Sequence, residues 1–190
     1  ASGVMLDAWV VVPPGFPWLL APFIYFFGIN FKIFKILNVI CWTLYAAVMF
    51  VLARRYLAVR TAVLALLFFL SSHFIFIFKK NVLSDIPFVF FLTLSIYGWI
   101  MYFEEANLST PRKRLFLGLA LAAMAYAFFI RWAGISLLIA LAVYVLSRGK
   151  SKKPLMAAAA VLGAAFVVQH LIGVSGSHYL EELRWPWHEW

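Results

Sequence analysis

The feature that most constrains this chain is a succession of apolar runs, each about as long as a bilayer is thick, with short clusters of Lys and Arg between them. A helix rises about 1.5 Å per residue, so about 20 apolar residues cross a hydrocarbon core of about 30 Å. Runs of this kind lie near 31–53, 59–78, 84–103, 114–131, 132–148 and 154–174. The chain is 66% hydrophobic and 12% charged, whereas soluble domains are about 25% charged. A soluble fold of this size has too little polar surface to cover so much apolar material. The expectation is an all-α, polytopic transmembrane helix bundle of about six spans with one juxtamembrane helix.

Two features of the pattern need a physical reason. Leu115 to Leu146 is almost unbroken, and as one helix it would reach about 48 Å, too long for the core. Arg131, followed by Trp132 and Gly134, is the place to turn, so two short spans joined by a tight hairpin are expected. Residues 13–28 are apolar but carry Pro13, Pro14, Pro17 and Pro22, and fully helical they would cover only about 24 Å. They are expected to form an external juxtamembrane helix, with Trp9 and Trp18 at interfacial depth.

The basic residues supply an orientation. With alternate crossings, one side of the bilayer receives Arg54, Arg55, Arg60, Arg112, Lys113, Arg114, Arg148, Lys150, Lys152 and Lys153. The other receives Lys32, Lys35, Lys79, Lys80, Arg131 and Arg184. The richer set lies in short connecting loops and marks the cytoplasmic side. The net charge of +9 is spread through these clusters and forms no continuous stripe, so nucleic acid is not the expected partner. Asn107-Leu108-Ser109 is a glycosylation triplet by pattern, but it falls in an expected cytoplasmic loop. Cys41, the one cysteine, sits in an apolar run and reads as a packed thiol. Both chain ends read as cut, with 175–190 beginning an external segment. Residues 1–190 are therefore expected to be one transmembrane domain of a longer protein.

Chemistry concentrates at the start of the third run. Asp85 is the lone carboxylate between Asp7 and Glu104, and it follows Lys79, Lys80 and Ser84. Ser84 is a good N-cap and Pro87 is tolerated in a first turn, so these residues are suited to starting a helix whatever else they do. The functional reading takes Asp85 as a group that orients an acceptor hydroxyl, acts in base chemistry, or ligates a divalent cation if one takes part. Lys79, Lys80 and Arg131 lie on the same expected side and are candidates to neutralise a phosphate leaving group. An arginine in a near-continuous apolar stretch is costly, although snorkelling to headgroups is an equal alternative for Arg131. His73 and His170 read as hydrogen-bonded interior histidines. His178 and Tyr179, in the external tail beside Glu181 and Glu182, are further candidates to line a site, without any metal-ligand spacing.

The order PPGFPWLLAPFIYFFGINFKIFKILNVI, then LARRYL, then KKNVLSDIPFVFFLTLSIYGW, then FFIRWAG resembles the polyprenyl-phosphate-sugar-dependent glycosyltransferases. These are of the protein mannosyltransferase and aminoarabinose transferase type, with the C-type glycosyltransferase fold. The resemblance covers roughly 13–150 and rests on the order of the motifs. It implies that Pro13 and Pro14 match a double proline before a juxtamembrane helix, and that Gly28 matches the glycine ending it. It further implies that Arg54 and Arg55 match a cytoplasmic basic pair, Asp85 an external-loop acid at the active site, and Arg131 a basic residue at a later turn. Val12 stands where some members carry a phosphate-contacting lysine, and the family's principal acid is expected upstream of this chain, which alone would be inactive.

The function expected from these readings is transfer of a sugar from a polyprenyl-phosphate carrier to a glycan, lipid or protein acceptor. It would take place on the extracytoplasmic face of a plasma, inner or endoplasmic reticulum membrane. A transporter or lipid-flipping subunit is the alternative. It would call for charges at the bilayer midplane, or broken helices in matching halves.

Overall fold

The computed structural model describes residues 13–71, 84–104 and 109–171. Among them the chain is all-helical, with seven α-helices and one 3-10 turn. They are α1 (Gly15–Phe27), α2 (Phe31–Tyr56), α3 (Val59–Leu70), α4 (Asp85–Glu104), α5 (Thr110–Ile130), the turn Trp132–Ile135, α6 (Ser136–Ser147) and α7 (Lys153–Leu171).

Every expected apolar run is helical where it is described. Among the described residues, however, fewer helices reach spanning length than the six runs expected. Four helices among the described residues are long and apolar enough to cross a membrane: α2, α4, α5 and α7. The second run is described as helix only over Val59–Leu70, with residues 72–83 outside the described residues. The fifth, Trp132–Ser147, is short because part of it is spent on turning. The chain is an integral membrane protein built as a helical bundle.

The α4–α5 hairpin is the spine. Small residues let the two helices approach, as in membrane bundles generally. A Cβ on Gly98 would lie 2.9 Å from the Ala120 Cβ, and the Ser95 hydroxyl donates to the Ala120 carbonyl at 2.9 Å. Phe91 meets Tyr126 with ring centroids 4.5 Å apart, and Tyr97 meets Phe116 at 6.0 Å. These pairs fix an antiparallel register in which the start of α4 faces the end of α5.

The turn after α5 falls at Arg131, as expected. Its backbone is extended (φ −150°, ψ 135°), which ends the helix, while its N–H still bonds the Ala127 carbonyl at 2.9 Å. Gly134 then packs against α5, where a Cβ would come within 2.6 Å of the Phe128 nitrogen. Only glycine permits so tight a reversal. The main core follows: Met124 and Phe128 of α5, Leu137, Leu141 and Val145 of α6, and Ala158, Leu162 and Ala165 of α7.

On the other flank α2 packs against α4, and α3 folds back on α2 through Trp42, Tyr45 and Phe69. α1 is too short to cross a bilayer, at about 20 Å. It ends at Gly28, whose φ of 66° suits glycine and whose N–H bonds the Ile24 carbonyl at 2.9 Å. Leu19, Leu20 and Phe23 of α1 rest on a small core of Leu37, Cys41 and Ile86. Tyr25 and Phe26 on its far half are exposed, Tyr25 by 85%. The short helix expected at 13–28 is present, and Cys41 is the packed thiol expected.

Candidate functional site

α4 carries a charged pair at each end. At its C-terminal end, Glu104 accepts the Tyr56 hydroxyl at 3.0 Å and lies 3.5 Å from Arg55 Nε. At its N-terminal end, Asp85 Oδ1 lies 2.8 Å from Arg131 Nη1. The hairpin register sends the basic residues of α5's first turn, Arg112 to Arg114, to the Glu104 end. Arg148 and the lysines that follow go there as well, since Tyr144 meets Phe103 with ring centroids 5.3 Å apart.

The Asp85–Arg131 pair follows from local structure. Asp85 opens α4, and the Phe88 N–H already bonds the Ser84 carbonyl at 3.0 Å. A carboxylate in the first turn gains about 0.3–1 kcal/mol from the helix dipole. Arg131 is the first residue past α5, so its side chain leaves the helical surface where the hairpin closes. The side chains of Arg131 and Asp85 are 40% and 32% exposed, and exposed pairs contribute at most about 1 kcal/mol. The pair is therefore a result of the register more than its cause. A guanidinium has five N–H donors, so one bond to Asp85 leaves others to meet an anion.

α1 closes over this end of the bundle. Pro13, Pro14 and Gly15 are buried, and Pro14 begins the helix with its carbonyl accepting the Trp18 N–H at 2.9 Å. A Cβ on Gly15 would come within 2.5 Å of the Phe129 carbonyl carbon and 2.6 Å of the Ile130 nitrogen. The Tyr126 hydroxyl donates to the Gly15 carbonyl at 3.1 Å, and Trp18 meets Phe129 with centroids 5.3 Å apart. Pro13 and Pro14 thus sit at the end of α5 that leads into Arg131, while Ile86 beside Asp85 packs under the same helix.

The structure brings together Asp85, Arg131, Ser84 and the Pro13–Pro14 turn from the residues expected by sequence. Lys79, Lys80, His73, His178 and Tyr179 lie outside the described residues. His170 is a correction. It is exposed, and Gln169 is the residue turned inward, 0% exposed and with neither amide atom hydrogen-bonded among the described residues. The reason is helical phase. The buried face of α7 runs Ala158, Leu162, Ala165, Gln169, and His170 lies about 100° round from it.

Sequence reasoning also missed Gly15 and Tyr126. A glycine directly after two prolines carried a signal of close approach. Tyr126, inside an apolar run, carried none. Among the described residues no three His, Cys, Asp or Glu side chains group as a metal site requires. An apolar cleft of about 150 Å³ lies farther along the bundle between Ile96, Trp99, Ile100 and Phe103 of α4 and Leu137 and Leu141 of α6. It offers no group for charge chemistry.

An uncharacterized protein of Aquifex aeolicus (strain VF5) is 31% identical over 116 residues, which are 60% of this chain and 22% of that protein. The chain therefore spans about a fifth of that relative's length. No solved structure matches. A family model described as dolichyl-phosphate-mannose-protein mannosyltransferase matches residues 11–172, across α1 to α7 and through both Asp85 and Arg131. With most of its length matched, the chain belongs to the dolichyl-phosphate-mannose-protein mannosyltransferase family.

Proposed function

We propose that this chain is the membrane-embedded part of a glycosyltransferase that moves a sugar from a polyprenyl-phosphate carrier to an acceptor outside the cytoplasm. The observation that carries the reading is the Asp85–Arg131 pair at 2.8 Å, beside the docked start of α1 and at the end of the bundle away from most basic residues. By the charge asymmetry, that end is extracytoplasmic. The family supports a lipid-linked sugar as donor.

In this reaction the acceptor oxygen forms a bond to the anomeric carbon while the bond from that carbon to the phosphate oxygen breaks. The phosphate leaves with the bonding electron pair, and the acceptor proton passes to a base. Arg131 is placed to meet the charge that develops on the leaving phosphate, using donors that Asp85 does not occupy. Asp85 holds the guanidinium in place, and its second oxygen is available to orient the acceptor hydroxyl. A cation fixed before reaction stabilises the departing charge without reorganising, which is how such groups accelerate transfer. Lys79 and Lys80 immediately precede this site in sequence and are proposed as further phosphate ligands.

A transporter would place its charges near the middle of the bundle. Among the described residues, the buried polar side chains are uncharged: Asn38, Thr93, Ser95 and Gln169. The reading is tested by sugar transfer from a polyprenyl-phosphate donor in reconstituted full-length protein. Loss of transfer in Asp85→Asn, with normal membrane insertion, is the expected result. Transfer at the unsubstituted rate removes Asp85 from the mechanism.

A further inference from the structure

Two residues that neither the family match nor the charge pattern singles out control where α1 sits. Gly15 approaches the α5 backbone so closely that a single added methyl would meet main-chain atoms of Phe129 and Ile130 at 2.5–2.7 Å. Backbone cannot rotate away as a flexible side chain can, so α1 itself would have to move. The Tyr126 hydroxyl holds the same carbonyl, that of Gly15, at 3.1 Å. Both contacts fall within a few residues of Arg131, whose position depends on how α5 ends. Farther along, α1 is held only by side-chain packing of Leu19, Leu20 and Phe23 on Leu37, Cys41 and Ile86, and among the described residues its last turn, Tyr25 to Phe27, is largely exposed. The tightest hold on α1 is therefore the backbone approach at Gly15, and that end lies beside the charged pair.

We infer that Gly15 and Tyr126 form a latch that positions the Pro13–Pro14 turn and the α5 terminus, and through them the Arg131 guanidinium, for the transfer step. Its effect on turnover rests on the glycosyltransferase reading above. Neither residue need touch substrate; both are positioning residues. A latch of this kind acts on the alignment of groups already present, so its loss lowers kcat and leaves donor KM nearly unchanged.

The test uses the full-length protein in vesicles, with two readouts. One is steady-state transfer from a polyprenyl-phosphate donor. The other is the distance between spin labels placed at Phe26 and Gly118, both exposed. Tyr126→Phe removes one hydroxyl and keeps the ring against Phe91, so it separates the bond from packing. The expected result is an about fivefold fall in kcat, as loss of one hydrogen bond implies, with donor KM within about twofold and a broadened label distance. Gly15→Ala is expected to broaden the distance further. The double variant should be no worse than Gly15→Ala alone, because both changes release the same contact. An unchanged distance in Tyr126→Phe overturns the latch, and a broadened distance with unchanged kcat overturns its positioning role. Absence of transfer by the unsubstituted protein overturns the glycosyltransferase reading instead, and the distance readout still decides whether these residues hold α1.

Discussion

Asp85 and Arg131 lie far apart in the chain and meet at 2.8 Å because α4 and α5 fold back on each other in a register set by Gly98, Ser95 and Ala120. The two charges most exposed to the question of function are thus one unit, an acid and a guanidinium sharing a bond. This bears on how each residue is tested, since removing either changes the surroundings of the other.

Asp85→Asn is expected to lower transfer about 100-fold or more, in the range of a lost acid–base or orienting group. Arg131→Ala should do as much. The double variant should fall well short of the product of the two effects, because each single change already breaks the shared bond. Rates for the four proteins in this cycle, measured on one lipid-linked donor, check the expectation.

The opposite end of α4 provides the control. Glu104 bonds Tyr56 and pairs with Arg55 in a partly exposed setting, where such pairs contribute at most about 1 kcal/mol. Glu104→Gln is expected to leave transfer within about twofold of the unsubstituted rate. A large loss there would mean that the end bearing Glu104 contributes to the chemistry.

Hairpin packing should be sensitive to size. Gly98→Val would drive a branched side chain into Ala120, and overpacking of this kind costs about 1–3 kcal/mol. Ser95→Ala removes only the bond to the Ala120 carbonyl and should cost about 0.6 kcal/mol. Unfolding in mixed micelles followed by far-UV circular dichroism should rank the two in that order.

Orientation can be read by labelling. Cys41 is buried, so an introduced cysteine dominates reaction with an impermeant maleimide. Asp85→Cys is expected to react from the extracytoplasmic side and Lys150→Cys from the cytoplasmic side. The reverse pattern would place the charged pair on the wrong face for the proposed reaction.

Much of this protein is settled by local rules. An apolar run must satisfy its backbone internally in lipid, so composition alone determined a helical membrane bundle. The same holds for single positions. Arg131 before Trp132-Ala133-Gly134 marked the hairpin, Gly28 marked the end of α1, and Ser84-Asp85 marked the start of α4. Length already misled, because Trp132–Ser147 is apolar throughout yet partly consumed in turning.

What only the tertiary structure decided is which residues touch. The bond between Asp85 and Arg131, the bond from Tyr126 to Gly15, and the inward turn of Gln169 in place of His170 all depend on register and helical phase. A uniformly apolar helix carries almost no amphipathic signal, since lipid and protein neighbours demand the same side chains. Close approach at Gly15, Gly98 and Gly134 selects the packed face instead, and it becomes visible only when the helices are in contact.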